Sequence, residues 1–203
     1  MAVTVVDAGL HAYLRETGRA FAHPFISMCP LSLRAAGDTA VGTRVSAMFV
    51  RLGEPGATVP ERIRQVVDSI ATAKKELGGM STDAAMTYAV GLLVLAGLAA
   101  STHLDRVWHP AANLVISNVP GAKEPRYLNG ALLLGIYPVS ALGASIGLNA
   151  TLTSCHDHMD FGFVANAAAI DDLPELARHT LQAYNELKEA AGKQRAGVKR
   201  APS

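Results

Sequence analysis

The chain has 203 residues and a net charge of +1, from 18 Lys/Arg against 17 Asp/Glu, which excludes the basic field that non-specific nucleic-acid binding requires. Half of the residues are apolar and 17% are charged, which excludes a disordered chain. That length suits one large domain or two small ones with a core that needs no covalent staple. Cys29 and Cys155 lie far apart within apolar stretches. They read as buried free thiols of a reducing compartment, with a disulfide left open. Met1–Gly9 has no basic region and carries Asp7, so no secretory leader is expected there and the cytoplasm is the expected location.

In chain order, Val6, Leu10, Tyr13 and Leu14 share a face at helical spacing and predict a helix over residues 3–17, stopped by Gly18. Phe25–Leu31 and Arg44–Leu52 read as strands around a turn cluster at Ala35–Thr39. Thr58, Pro60 and Glu61 open a second helix with the stripe Ile63, Val66, Val67, Ile70 and Leu77, ended by Gly78 and Gly79. Ser81 caps a third helix running to about Ser101. Between Ala84 and Ala100 it bears no charge, near the lower limit for a membrane span. A buried or groove-facing helix is expected, with an interfacial helix as the alternative.

Four strands are then expected: Asn113–Ser117, a buried apolar strand at Ala131–Val139, Ser145–Ser154 and Met159–Ala165. The last two join through Cys155-His156-Asp157-His158. His156 and His158 invite a zinc reading, but polar residues at a hairpin tip need only solvation, so no metal is expected. Asp172-Leu173-Pro174-Glu175 caps a final helix with the stripe Leu173, Leu176, Leu181, Tyr184 and Leu187. The expected organisation is one lobe over residues 1–191 and a disordered basic tail over 192–203. The order helix, two strands, two helices, four strands, helix predicts an α/β fold, a mixed sheet with packed helices.

Several segments look familiar together. Asn113-Leu114-Val115-Ile116-Ser117-Asn118-Val119-Pro120-Gly121 resembles the Ser-Asn-Val-Pro-Gly signature of the wax ester synthase/diacylglycerol acyltransferase family. Gly135–Ser140, Leu148–Leu152 and Met159–Phe163 resemble later motifs of that family, and Met28–Arg34 and Gly42–Met48 resemble earlier ones. The resemblance spans about residues 3–190, in order and at compatible spacing. It implies a single, C-terminal lobe of the chloramphenicol-acetyltransferase-like, CoA-dependent acyltransferase fold. The family's His-His-x-x-x-Asp-Gly motif belongs to the N-terminal lobe, and none of the seven histidines here adjoins another. The family's Asn-Asp pair falls on Val6-Asp7, so the aspartate is kept and the amide lost.

What the resemblance implies is acyl transfer from acyl-CoA, as co-substrate and without other cofactor, to a diacylglycerol or a fatty alcohol. Such chemistry needs a base, an oxyanion donor and a cleft that excludes water. The base would come from an N-terminal lobe, so no catalytic residue is assigned in this chain. Ser117 and Asn118 are candidates for the oxyanion or the pantetheine amides, unless Asn118 merely closes the Pro-Gly turn. Arg34 and Arg44 are candidates for CoA phosphates, or ordinary surface arginines. Asp7 is a candidate partner to a site residue, or a solvated carboxylate. The expected partners are an N-terminal acyltransferase lobe or a second copy, with peripheral contact at the inner face of the plasma membrane or lipid bodies. The alternative is an inactive truncated lobe that binds acyl lipid or serves as an interaction module.

Overall fold

The computed structural model describes residues 1–19, 21–34, 45–102, 111–143 and 145–198. Helix α1 spans Ala2–Glu16, β1 Ile26–Ser32, β2 Val45–Arg51, α2 Val59–Gly78 and α3 Thr82–Ser101. Then follow β3 Leu114–Val119, β4 Tyr127–Leu128, β5 Ala131–Leu132, β6 Leu148–Cys155, β7 His158–Ala165 and α4 Leu173–Val198. The helix α4 thus continues past Gly192, where a stop was expected.

Five strands form one mixed sheet in the order β2-β1-β3-β6-β7. The outer pairs β1–β2 and β6–β7 are antiparallel, while β3 runs parallel to both β1 and β6. Side chains alternate across each strand. Leu114 and Ile116 on β3, with Leu148, Ala150 and Leu152 on β6, therefore face one way, into the core. There they meet Val6, Leu10, Tyr13 and Leu14 of α1, Val66 of α2 and Leu176 of α4. At about 1.5–3 kcal/mol per fully buried large aliphatic or aromatic side chain, this layer supplies the main driving force for folding.

Helix α1 uses its predicted stripe. Tyr13 is fully buried and donates to Asp171 at 2.6 Å, tying the first helix to the start of the last. Asp172 caps α4 as its spacing predicts, accepting the Glu175 N–H at 2.9 Å. The buried line of α4 is Leu176, Thr180, Ala183 and Leu187, and not the expected stripe in full: Leu181 and Tyr184 turn outward. Thr180 joins that line because its hydroxyl bonds back to the Leu176 carbonyl, which satisfies it. Both cysteines are buried and free.

In α2, too, Val67 and Ile63 of the expected stripe are exposed and Arg62 is buried. Two larger expectations fail. The apolar run Ala131–Val139 is no buried strand. Only Ala131–Leu132 is paired, with Tyr127–Leu128, around Asn129 and Gly130 at positive φ. The rest is an extended strap lying outside the sheet. Pro138 has no N–H to give a ladder, and an apolar run alone does not say which face will cover it. The second concerns α3, expected to be buried or groove-facing: it is not buried. Val90, Val94, Leu95 and Leu98 are each more than half exposed. By length and composition α3 could cross a membrane. It is apolar all round, so no face is marked for a core, and among the described residues it rests chiefly on β2, where Ser46 donates to the Ala85 carbonyl.

Candidate functional site

The sheet has one helix-covered face and one face crossed by the strap. Alternation puts Asn149, Thr151 and Thr153 of β6 on the strap side, with Ser117 of β3 opposite Thr151 in register. Asn149 and Thr151 are almost fully buried despite being polar. They are satisfied by one another and by the strap. Thr151 donates to Asn149 Oδ1 at 2.8 Å, the Ser140 and Thr151 hydroxyls lie 2.9 Å apart, and Asn149 Nδ2 reaches the Ala141 carbonyl at 3.4 Å. A row of hydroxyls and an amide beneath an extended segment is an uncharged polar wall whose hydrogen bonds hold the strap down.

The strap is fastened at several points. The Ile136 N–H donates to Asp160 Oδ2 at 2.7 Å. Gly162 lets the chain pass: a Cβ there would collide with the Pro138 carbonyl. The Pro120-Gly121 turn docks likewise, with the Gly121 N–H on Ser154 Oγ at 2.8 Å and no room for a Cβ against the Ser154 carbonyl. The strap's outward side chains remain open, with Leu134 and Tyr137 each 77% exposed and Val139 84%. A fixed row of large apolar groups facing solvent marks a contact surface.

The predicted site residues do not all meet. Ser117 is half-buried and faces the strap. Asn118, its neighbour on β3, points the other way and is exposed, with no side-chain hydrogen bond among the described residues. Arg34 is exposed just past β1. Arg44 lies outside the described residues. Asp7 lies in the helical layer, on the far side of the sheet from Ser117, and it is not solvated: its side chain is fully buried.

What surrounds Asp7 was not read from the sequence. Arg62 of α2 donates to Asp7 Oδ2 at 2.8 Å, and the Gly53 N–H donates to the same oxygen at 2.9 Å. Arg62 also reaches the Glu54 carbonyl at 3.1 Å. Burial pushes the Asp7 carboxyl above its ordinary range, and Arg62 opposes that shift. His11, one turn along α1, places Nε2 3.4 Å from Asp7 Oδ1 without forming a hydrogen bond, and both atoms lack another partner. The 3.4 Å approach is an ion-pair distance only if His11 is charged. Burial and the nearby Arg62 guanidinium depress its pKa to about 4, so it is neutral at pH 7. A polar cleft of about 510 Å³ opens beside it, lined by His11, Arg15, Thr58, Arg62, His179 and Gln182.

The depressed pKa carries a stability consequence. Between the ordinary value of 6.5 and about 4 the unfolded chain binds the proton and the folded chain does not. His11 therefore contributes stability that is full above pH 6.5 and lost as pH falls towards 4. Asp7, shifted upward, contributes with the opposite sign. Comparing the chain with His11→Gln isolates the histidine: urea midpoints should fall more steeply between pH 6.5 and 4 in the unmodified chain. Parallel curves would show that His11 gains its proton freely in the fold.

The family model for the WS/DGAT C-terminal domain matches residues 41–188. The chain belongs to this family. A Mycobacterium tuberculosis protein named for diacylglycerol O-acyltransferase activity is 31% identical to this WS/DGAT domain over 95% of the chain, and the O-acyltransferase WSD of Acinetobacter baylyi is 30% identical over 87%. Among solved structures, the wax ester synthase/diacylglycerol acyltransferase of Marinobacter aquaeolei VT8 superposes with a TM-score of 0.78 at 29% identity, over 94% of the chain. The first condensation domain of the CDA synthetase, at 16% identity and a TM-score of 0.50, shares the fold alone. The WS/DGAT domain spans 39% of the length of the mycobacterial relative, 38% of the Acinetobacter one and 43% of the Marinobacter chain.

Proposed function

We propose that this WS/DGAT domain is the C-terminal lobe of an acyl-CoA-dependent O-acyltransferase that esterifies a diacylglycerol or a long-chain alcohol. The observation that carries the reading is the strap: a row of exposed apolar side chains hydrogen-bonded above a buried hydroxyl–amide wall. That pairing suits a surface closed by a second lobe, with Ser117 beside the wall and grease excluding water around it.

In this reading the second lobe supplies the histidine base, which takes the proton of the acceptor hydroxyl. The oxygen attacks the thioester carbonyl, and the tetrahedral intermediate collapses with loss of CoA as its thiolate. Ser117, at the end of β3 beside the wall, donates to the developing oxyanion or to the pantetheine amides. Arg34, just past β1, and Arg44, ten residues on in the sequence, serve the CoA phosphates. Asp7 acts through Arg62 as a positioning residue that fixes α1 against α2, and Asn118 remains a candidate contact at the cleft rim. Reconstitution with an N-terminal lobe is the test. Ester formed only by the pair supports the reading, whereas a stable pair without turnover, or no pair at all, overturns it.

Lipid substrates also give α3 a role, as the element that holds the enzyme at a membrane or lipid-body surface on the cytoplasmic side. Each Leu or Val side chain taken from water into the interface contributes on the order of 1–2 kcal/mol, so a few suffice for reversible binding. Leu95→Glu with Leu98→Glu should abolish flotation of the chain with phospholipid vesicles and leave its circular dichroism unchanged. Flotation that survives the pair of substitutions would place membrane contact elsewhere.

A further inference from the structure

We propose that Cys155, His158 and Asp160 form a binding site for a divalent transition metal of the zinc class at the closed end of the β6–β7 hairpin. The register brings these residues together. Cys155 pairs with His158 and Thr153 with Asp160, and cross-strand partners share a face. Cys155, His158 and Asp160 therefore project from the same side of the hairpin, the side that carries the strap. One ligand atom from each lies within 4.8 Å of the other two. His158 Nε2 and Asp160 Oδ2 are 3.7 Å apart. Tetrahedral zinc, with bonds of about 2.0–2.3 Å, holds its ligands roughly 3.4–3.6 Å apart, so the His158–Asp160 pair is already close to that spacing, and the Cys155 thiol, within 4.8 Å of both, would close by at most about 1 Å.

The surrounding bonds orient the ligands as a metal site requires. His158 Nδ1 lies 3.1 Å from Asp157 Oδ1, which leaves Nε2 for an ion, and the Ile136 N–H fixes the Asp160 carboxylate. A carboxylate behind the histidine is a usual support of bound zinc. The Ile136 N–H bonds Asp160 Oδ2, the oxygen that also lies 3.7 Å from His158 Nε2, so that oxygen would meet the ion through its remaining lone pair. Cys155 is buried, which gives the ion a dry side. Among the described residues no Lys or Arg pairs with Asp157 or Asp160. The comparable group Glu16, Glu175 and His179 differs in this respect, because the Arg178 guanidinium already meets both of its carboxylates.

On binding, the ion takes the place of the Cys155 thiol proton and of any proton on His158, both of which leave to solvent. Three protein ligands leave a fourth position for water. Because Asp160 also anchors the strap at Ile136, the ion ties the hairpin end to the strap.

The test uses the whole 203-residue chain, stripped with a chelator and titrated with Co²⁺ and then Zn²⁺. One equivalent of Co²⁺ should produce tetrahedral visible absorption with a thiolate-to-cobalt charge-transfer band, and Zn²⁺ should displace it. Cys155→Ser should remove the thiolate band. His158→Ala, at an exposed position that does not endanger the fold, should weaken Co²⁺ binding at least about tenfold. Absence of the thiolate band in the folded unmodified chain would overturn the site, as would an affinity that neither substitution changes.

Discussion

Mixed with a WS/DGAT N-terminal lobe that carries the His-His-x-x-x-Asp-Gly motif, the chain should form ester from acyl-CoA and either dioleoylglycerol or hexadecanol, and alone it should form none. The expectation rests on the proposed function and on the arithmetic of catalysis: a positioned base contributes about 10²–10⁴ in rate, and a bimolecular reaction without a closed cleft forfeits far more. Two substitutions separate docking from chemistry. Leu134→Asp adds a charge to a strap side chain that is 77% exposed, so the lobe itself should fold normally while its affinity for the other lobe falls. Ser117→Ala should leave the pair intact and lower kcat by roughly 10²-fold if its hydroxyl meets the oxyanion. Radiolabelled acyl transfer and size-exclusion chromatography read the two effects. A Leu134→Asp chain that pairs and turns over like the original would remove the strap from the interface. An unaltered kcat in Ser117→Ala would remove the hydroxyl from the chemistry.

Asp7→Ala should be the most damaging single change to the fold. It leaves the Arg62 guanidinium, 5% exposed at its side chain, without its carboxylate, and it orphans the Gly53 N–H. Breaking one side of a buried ion pair costs about 3–5 kcal/mol. For a domain of this size each kcal/mol moves Tm by about 2–4 °C, so thermal scans should show a fall on the order of 6–20 °C. Replacing both partners, Asp7→Leu with Arg62→Met, should restore most of that loss, because no charge is then left in a dry place. A single variant that loses under about 1 kcal/mol would mean that water reaches the Asp7 site.

The elements with end signals were legible and those without were not. Glu61 accepts both the N–H and the hydroxyl of Thr58, and Asp172 caps α4, so both helices start where their residue spacing predicts. The polar hairpin connection at Cys155–His158 was equally plain, although Cys155 and His158 pair with each other and the turn shrinks to His156 and Asp157, with His156 at positive φ. The resemblance of six segments, in order, located the family and the lobe. The strap was misread because Ala131–Val139 has the composition of a buried strand, and only Gly162 and Asp160, more than twenty residues on, decide that it lies across a face instead of within the sheet. Arg62 stood in a run of charges, Glu61, Arg62 and Arg64, and nothing local tells which of them turns inward. Asp7 was read as a partner to a site residue or a solvated carboxylate, and only the fold shows that it is buried against Arg62.

The bond from Tyr13 to Asp171 joins residues 158 positions apart, and the sheet's centre is equally non-local, with Ser27 beside Leu114. Synthesis at about 5–20 residues per second makes α1 wait roughly 10–30 s for α4 to emerge from the ribosome. During that interval Val6, Leu10 and Leu14 have no α4 to cover them, and the parallel β1–β3 pairing must close a long loop before it yields any gain. Nascent chains of this domain should therefore depend on holding chaperones more than its size suggests.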